Sequence, residues 1–287
     1  MTTTELSAEA TSRTLATANG ELHYHEAGDG PPLLLLHGSG PGVSGWANFS
    51  GNLPRFAQHF RTLVLDLPGF GTSHPVDGPP ILHAPAAVLA FLDGLGIDRL
   101  AMVGNSLGGG VVAGLAATNP ERVSRLVTLG GVGVPFFSAS PPEGIVRLVE
   151  FVEDPTRDRL VQWMRSMVFD PALLTEDFVE ARWRAASDPA ALAAVRTIYS
   201  RQLLEVFRSL TVANPEMLAM LGRIQAPTLL TWGRDDRVTP LDGAIAPLRL
   251  IPRCELHVFP DCGHWAMIER KDEFESTVLS YLLRDHE

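Results

Sequence analysis

A chain of 287 residues, 45% hydrophobic and 20% charged, is long enough to bury a sizeable core as one large domain or one domain with an insertion. Its net charge of −10 argues against nucleic acid or an anionic membrane surface as partner, because both require basic surface. Two cysteines, Cys254 and Cys262, make no disulfide framework and point to a reducing compartment, and no run of about 18 apolar residues is present to span a membrane.

Met1 to Leu15 carries Glu5 and Glu9 and no apolar run, unlike a signal peptide, so a cytoplasmic location is expected. Residues 1–11 are polar and expected to fray. Arg13–Thr17 and Glu21–His25 alternate around Asn19-Gly20, the signature of a two-residue hairpin. Leu33–Leu36 follows Pro31-Pro32 as a wholly apolar central strand, and His37-Gly38-Ser39-Gly40-Pro41-Gly42 is a loop too rich in glycine to be regular. Thr62–Leu65 is a further strand, residues 84–95 a helix and Leu100–Val103 another buried strand.

That strand runs into Gly104-Asn105-Ser106-Leu107-Gly108, and a small-residue helix follows over 111–117. The form Gly-X-Ser-X-Gly is that of a strained turn that lifts a serine to the top of a sheet, with glycine where side chains have no room. Alone it is weak, since a glycine-rich helix start has the same pattern; a phosphate loop fits worse, because no Lys-Ser or Lys-Thr pair follows. Val123–Leu129 continues the strand–helix alternation of a mostly parallel sheet covered on both faces. Over 135–215 the alternation stops. Helical stretches at 144–153, 157–168, 175–186 and 189–208 read as an inserted cap, dividing the chain into a core of 1–134 with 216–287 and a cap of 135–215. Alternation then resumes with a strand at Thr228–Trp232, a helix near 241–250, a strand at Glu255–Phe259 and a last helix at 271–283.

A serine hydroxyl needs a base to take its proton, and a carboxylate to orient the base. In such sheets these groups belong just beyond strand ends. Two turns qualify, Gly233-Arg234-Asp235-Asp236-Arg237 and Asp261-Cys262-Gly263-His264-Trp265, and the order Ser, Asp, His is that of the α/β-hydrolase fold. Of the nine histidines only His264 sits on a loop after the last strand; His257 lies within a strand, His23 and His25 in the hairpin, and His286 at the tail. Pattern alone does not separate Asp235 from Asp236. Asp242 is expected to open or cap the next helix, and Cys262 to be a small buried apolar residue. One donor for the developing oxyanion is expected from the backbone N–H of Leu107, the other from the Gly38-Ser39-Gly40 loop, where backbone can approach substrate closely.

These residues resemble the meta-cleavage product hydrolases. The likeness is carried by His37-Gly38-Ser39-Gly40-Pro41-Gly42, Gly45-Trp46-Ala47-Asn48-Phe49, Gly104-Asn105-Ser106-Leu107-Gly108-Gly109, Arg182-Trp183, Trp232-Gly233-Arg234-Asp235-Asp236-Arg237 and Cys262-Gly263-His264-Trp265, spanning roughly residues 20–283. It implies an α/β-hydrolase fold with an inserted helical cap, and hydrolysis of a carbon–carbon bond in 2-hydroxy-6-oxohexa-2,4-dienoates. It further implies Ser106 as nucleophile or general base, His264 as proton carrier and Asp236 as its orienter. The same likeness gives the backbone N–H groups of Ser39 and Leu107 to the oxyanion hole, and Asn48, Asn105, Arg182 and Trp265 to the dienoate end of the substrate. Gly38 and Gly40 are expected at the substrate, and Met167 and Val238 fall at pocket positions that are aromatic in some members. A planar, two-pronged guanidinium such as Arg182 suits a 2-oxo or 2-hydroxy carboxylate. No metal or organic cofactor is expected; the partners expected are a small dienoate and further copies of the chain, as a homodimer or larger homo-oligomer. Two alternatives share the triad, an ester or lactone hydrolase and a ligand-binding receptor on a hydrolase scaffold. Dehalogenases and epoxide hydrolases of this fold use a carboxylate where this chain has Ser106.

Overall fold

The computed structural model describes residues 6–133, 135–209 and 215–284. In chain order the elements are α1 (Ala8–Thr11), β1 (Ser12–Thr17), β2 (Gly20–Ala27), β3 (Pro32–Leu36), α2 (Gly45–Phe49), α3 (Leu53–Phe56), β4 (Arg61–Leu65), α4 (Pro80–Gly94), β5 (Leu100–Asn105), α5 (Leu107–Thr118) and β6 (Val123–Leu129). Then come α6 (Glu143–Glu153), α7 (Arg157–Met167), α8 (Glu176–Ala186), α9 (Pro189–Ile198), α10 (Arg201–Ser209) and α11 (Pro215–Leu221). The chain closes with β7 (Thr228–Gly233), α12 (Ile245–Leu250), β8 (Cys254–Phe259), α13 (Ala266–Glu269) and α14 (Lys271–Leu282).

One sheet holds all eight strands in the order β1-β2-β4-β3-β5-β6-β7-β8. The β1–β2 and β2–β4 pairs are antiparallel, and every pair from β4 to β8 is parallel. The parallel strands are continuous apolar runs because helices cover both faces: Leu33–Leu36, Leu63–Leu65 and Leu100–Val103 are buried throughout. In register, Leu36 stands beside Gly104, and Asn105 beside Leu129. The carboxyl ends of β3, β5, β6, β7 and β8 therefore lie along one rim, where an α/β sheet places ligands. Helices α6–α8 reach over that rim, Leu148, Trp163, Met167 and Arg182 lining a cavity with Ser106, and among the described residues the chain between β6 and β7 adds no strand. Helix starts in this stretch are written locally: Thr156, Thr175 and Asp188 accept from the backbone N–H of Arg159, Phe178 and Ala190 at the openings of α7, α8 and α9.

Several local expectations are corrected. Residues 8–11 form the helical turn α1, because Ser7 caps it through Ala10 N and Thr11 reaches His25 Nδ1 at 3.0 Å. The hairpin turn is Ala18-Asn19, one residue earlier than expected; Thr17 faces Gly20, Asn19 N donates to Thr17 Oγ1, and Gly20 (φ +124°) pairs within β2. Helix α4 begins four residues sooner, at Pro80, since a proline in a first turn gives up no hydrogen bond. The 189–208 stretch breaks at Tyr199-Ser200, where Tyr199 turns extended (φ −108°, ψ 114°). Asp242 does lie in the first turn of the short helix Leu241–Ala244 that leads into α12, as expected, but its side chain goes elsewhere: it accepts from the backbone of Phe136, Phe137 and Ser138 and from the Ser138 hydroxyl, tying down the loop after β6. Desolvation opposes its ionisation, but those hydrogen bonds prevail and hold its carboxyl below the usual range. His286 lies outside the described residues.

Candidate active site

Ser106 stands between β5 and α5 at φ 53°, ψ −116°, a conformation that L side chains rarely adopt. Two backbone bonds hold it there, Ser106 N to Leu129 O (2.9 Å) and Gly110 N to Ser106 O (3.1 Å). The flanking glycines are required by contact. A Cβ on Gly104 would sit 2.3 Å from Gly108 O, and one on Gly108 would sit 2.5 Å from Leu36 O.

Beyond β8, the His264 imidazole donates through Nδ1 to Asp236 Oδ2 at 2.7 Å, both side chains being buried. The carboxylate accepts at Nδ1, so the proton sits there and the Nε2 lone pair is left free to receive one. Asp236 Oδ1 accepts from Val238 N (2.7 Å) and Thr239 N (2.9 Å), and Oδ2 also accepts from the Thr239 hydroxyl (2.8 Å). Thr239 is a part of this network that pattern reading missed. Asp235 turns away to Arg234 at 3.1 Å, so geometry separates the two acids. His264 N donates to Met167 O at 2.7 Å, fixing the histidine loop against α7. Cys262 is buried and apolar surroundings push its thiol up, which makes it inert.

Opposite, the loop after β3 presses on the serine: a Cβ on Gly38 would meet Ser106 Cβ at 3.3 Å and Asn105 Oδ1 at 3.0 Å. His37 fixes this loop. Its ring donates from Nδ1 to Gly38 O (2.6 Å) and accepts at Nε2 from Leu67 N (2.9 Å). Gly38 O and Ser39 N–H are the two ends of one planar peptide, so holding the carbonyl aims the N–H the other way. Leu107 is the first residue of α5, and its N–H has no partner within the helix.

One cavity is lined by Ser106 and His264 together with Gly38, Ser39, Gly40, Asn48, Asn105, Met167, Arg182, Val238 and Trp265. Val43, Leu148, Trp163 and Tyr199 complete its wall and were not anticipated. The leucine, tryptophan and tyrosine come from the chain between β6 and β7, where amphipathic spacing cannot tell a cavity-facing side chain from a core one. Asn48 Nδ2 donates to Asn105 Oδ1 (3.3 Å), while the buried Asn48 Oδ1 has no hydrogen-bond partner among the described residues. Arg182 is 6% exposed, donates to Pro41 O at 3.3 Å and lies 5.5 Å from the centre of the Trp265 ring. Among the described residues no carboxylate pairs with it, and burial lowers its pKa to about 10, so it remains a cation at neutral pH. Leu148, Met167 and Val238 give the cavity apolar wall close to the triad, through the Met167–His264 and Val238–Asp236 bonds.

A family model described as alpha/beta hydrolase fold matches residues 31–271. The 2-hydroxy-6-oxononadienedioate/2-hydroxy-6-oxononatrienedioate hydrolase of Comamonas testosteroni is 36% identical over 271 residues, covering 92% of each chain. The 2-hydroxy-6-oxo-6-phenylhexa-2,4-dienoate hydrolase of Burkholderia cepacia is 35% identical over 290 residues, covering 97% of this chain and 99% of that one. Among solved structures, the meta-cleavage product hydrolase CumD of Pseudomonas fluorescens superposes with a TM-score of 0.83 at 28% identity, covering 94% and 96% of the two chains. The 2-hydroxy-6-oxo-6-phenylhexa-2,4-dienoate hydrolase of a Rhodococcus strain gives 0.84 at 29% identity, covering 94% and 97%.

Proposed function

The chain belongs to the α/β-hydrolase family and, within it, to the meta-cleavage product hydrolases, and on that premise we propose that it hydrolyses the carbon–carbon bond of 2-hydroxy-6-oxohexa-2,4-dienoate-type ring-fission products. The products are a 2-hydroxypenta-2,4-dienoate and a carboxylic acid. The observation that carries this reading is Arg182. A buried cation with no anionic partner is costly, and a substrate carboxylate entering the cavity offsets that cost. Asn48 Oδ1, an acceptor without a donor, suits the 2-hydroxyl beside such a carboxylate.

In this reading the dienol first takes a proton at carbon 5 and becomes a ketone, which makes the distal fragment a leaving group. His264, oriented by Asp236, takes the Ser106 proton, and Ser106 delivers the nucleophile to carbon 6, its own oxygen or a water it activates. The new oxyanion is met by the N–H groups of Ser39 and Leu107. The carbon–carbon bond then breaks, carbon 5 keeps the electron pair, and one water is consumed overall. Residues 135–215 act as the cap over a core of 1–134 and 216–287, a reading supported by the side chains that α6, α7 and α8 contribute to the cavity beside Ser106. We place the carbon-6 substituent against Leu148, Met167 and Val238, which favours an uncharged group there over the second carboxylate carried in the Comamonas relative's name. The protein is assigned to the cytoplasm, in keeping with two unpaired cysteines, and to a homodimer or larger homo-oligomer, for which the exposed Phe137, Phe169 and Ile245 around one cleft offer apolar surface.

The test is direct. Purified protein is expected to bleach the visible absorbance of a ring-fission dienol while acting poorly on nitrophenyl esters. Rapid ester cleavage without dienol loss would make it an esterase, and binding without turnover would make it a receptor.

A further inference from the structure

Tyr199 stands half-buried at the break between α9 and α10, and its hydroxyl lies 2.5 Å from Ser39 Oγ across the cavity wall. Ser39 is buried, and it is the residue whose N–H meets the oxyanion in the reading above. Two hydroxyls carry two protons, and the bond between them uses one. Neither oxygen has a further partner among the described residues. One O–H is therefore left over for whatever occupies the cavity. The phenol is the more acidic of the two and donates, which leaves the free proton on Ser39. Burial raises the Tyr199 pKa, so the phenol keeps its proton across the neutral range.

Resting on the function proposed above, we propose that the Ser39 hydroxyl is a third hydrogen-bond donor to the oxygen that turns negative at carbon 6, and that Tyr199 is the positioning residue that aims it. Gly38 lies against Ser106, so the loop carrying Ser39 is beside the attacked carbon. A donor fixed before charge develops contributes far more than one that must reorient, and Tyr199 supplies that fixing by accepting no freedom in the Ser39 rotamer. Because Tyr199 belongs to the chain between β6 and β7 and Ser39 to the loop after β3, the third donor is aimed only when the two are packed together.

Single-turnover kinetics separate dienol ketonisation from bond cleavage, and only cleavage builds the oxyanion. Tyr199→Phe is expected to slow cleavage roughly tenfold and Ser39→Ala roughly 10- to 100-fold, with ketonisation and KM within about twofold of the parent. The double variant is expected to match Ser39→Ala within about twofold, since Tyr199 acts through the serine, and Ser39→Thr, which keeps a hydroxyl, is expected to retain most of the rate. Multiplicative losses in the double variant, equal slowing of ketonisation, or parental cleavage rates in both single variants would each overturn the assignment. A parent protein that cleaves no dienol would instead overturn the function itself.

Discussion

At the scale of single residues, the site is defined by groups whose hydrogen-bond and charge accounts close on one another or face the cavity. Asp236 closes on three donors and an imidazole; Arg182 meets the Pro41 carbonyl and the Trp265 ring, and among the described residues no carboxylate pairs with it. Removing a charge that meets a buried carboxylate costs about 2–4 kcal/mol, so Arg182→Ala is expected to lower kcat/KM for a dienoate by roughly 30- to 1000-fold. Turnover of a neutral ester is expected to change no more than about threefold, and equal losses on both substrates would remove the carboxylate role. Ser106, Asp236 and His264 were legible because each sits in a turn directly after an apolar strand, where a reactive side chain stands out, whereas Arg182 within α8 and Asn48 within α2 were reached only through the family likeness. Tyr199 was not legible, because its neighbours on both sides carry amphipathic helical spacing and nothing in that pattern marks the break. Asp242 was legible as a first-turn acid, but its bonds to a loop distant in sequence were not, since no local pattern marks them.

At the scale of elements, the turn between β5 and α5 stores strain that its neighbours must hold. Gly131 (φ +75°) has no room for a side chain, since a Cβ would fall 1.9 Å from Ser106 O. Gly131→Ala is expected to destabilise the protein by several kcal/mol, through positive-φ strain of about 1–3 kcal/mol plus displacement of the serine backbone, and to reduce turnover at least about 100-fold. Gly114, within α5, has nothing within 4 Å of its Cβ position. Gly114→Ala is expected to stabilise by about 0.5–1 kcal/mol with turnover unchanged. Thermal melts of the two variants check both signs, and a shift in the same direction for both would contradict the assignment of strain. The strands were readable from their apolar runs, whereas the four- and five-residue turns of α1, α2, α3 and α13 are too short to develop a period.

At the scale of the whole molecule, stability is coupled to pH through groups buried in one protonation state. His37 is fully buried beside the sheet, and desolvation depresses its pKa despite the nearby Asp66; His25 is depressed for the same first cause. The unfolded chain takes up these protons below about pH 6.5 while the folded chain does not, so stability is full above that value and falls as pH drops. Asp66 opens a second window. Its carboxyl is held below the ordinary range because bonds from His23, Gly45 and Thr72 outweigh desolvation, so its contribution is lost as pH falls below about 4. The melting temperature is therefore expected to be flat from about pH 8 to 7 and to decline below about 6.5, with a shallower decline in His37→Gln. A melting temperature that rises between pH 7 and 5 would reverse the sign of this coupling.

Strand β8 pairs with β7 alone, at the rim of the sheet, and it is β8 that delivers the loop bearing His264. On the ribosome, Ser106 emerges well before β8. Until that strand docks, the growing polypeptide holds a strained serine with no base to deprotonate it. In the reading proposed above, chemistry therefore waits on β8, and a chain cut short before that strand lacks its base whatever else it has folded.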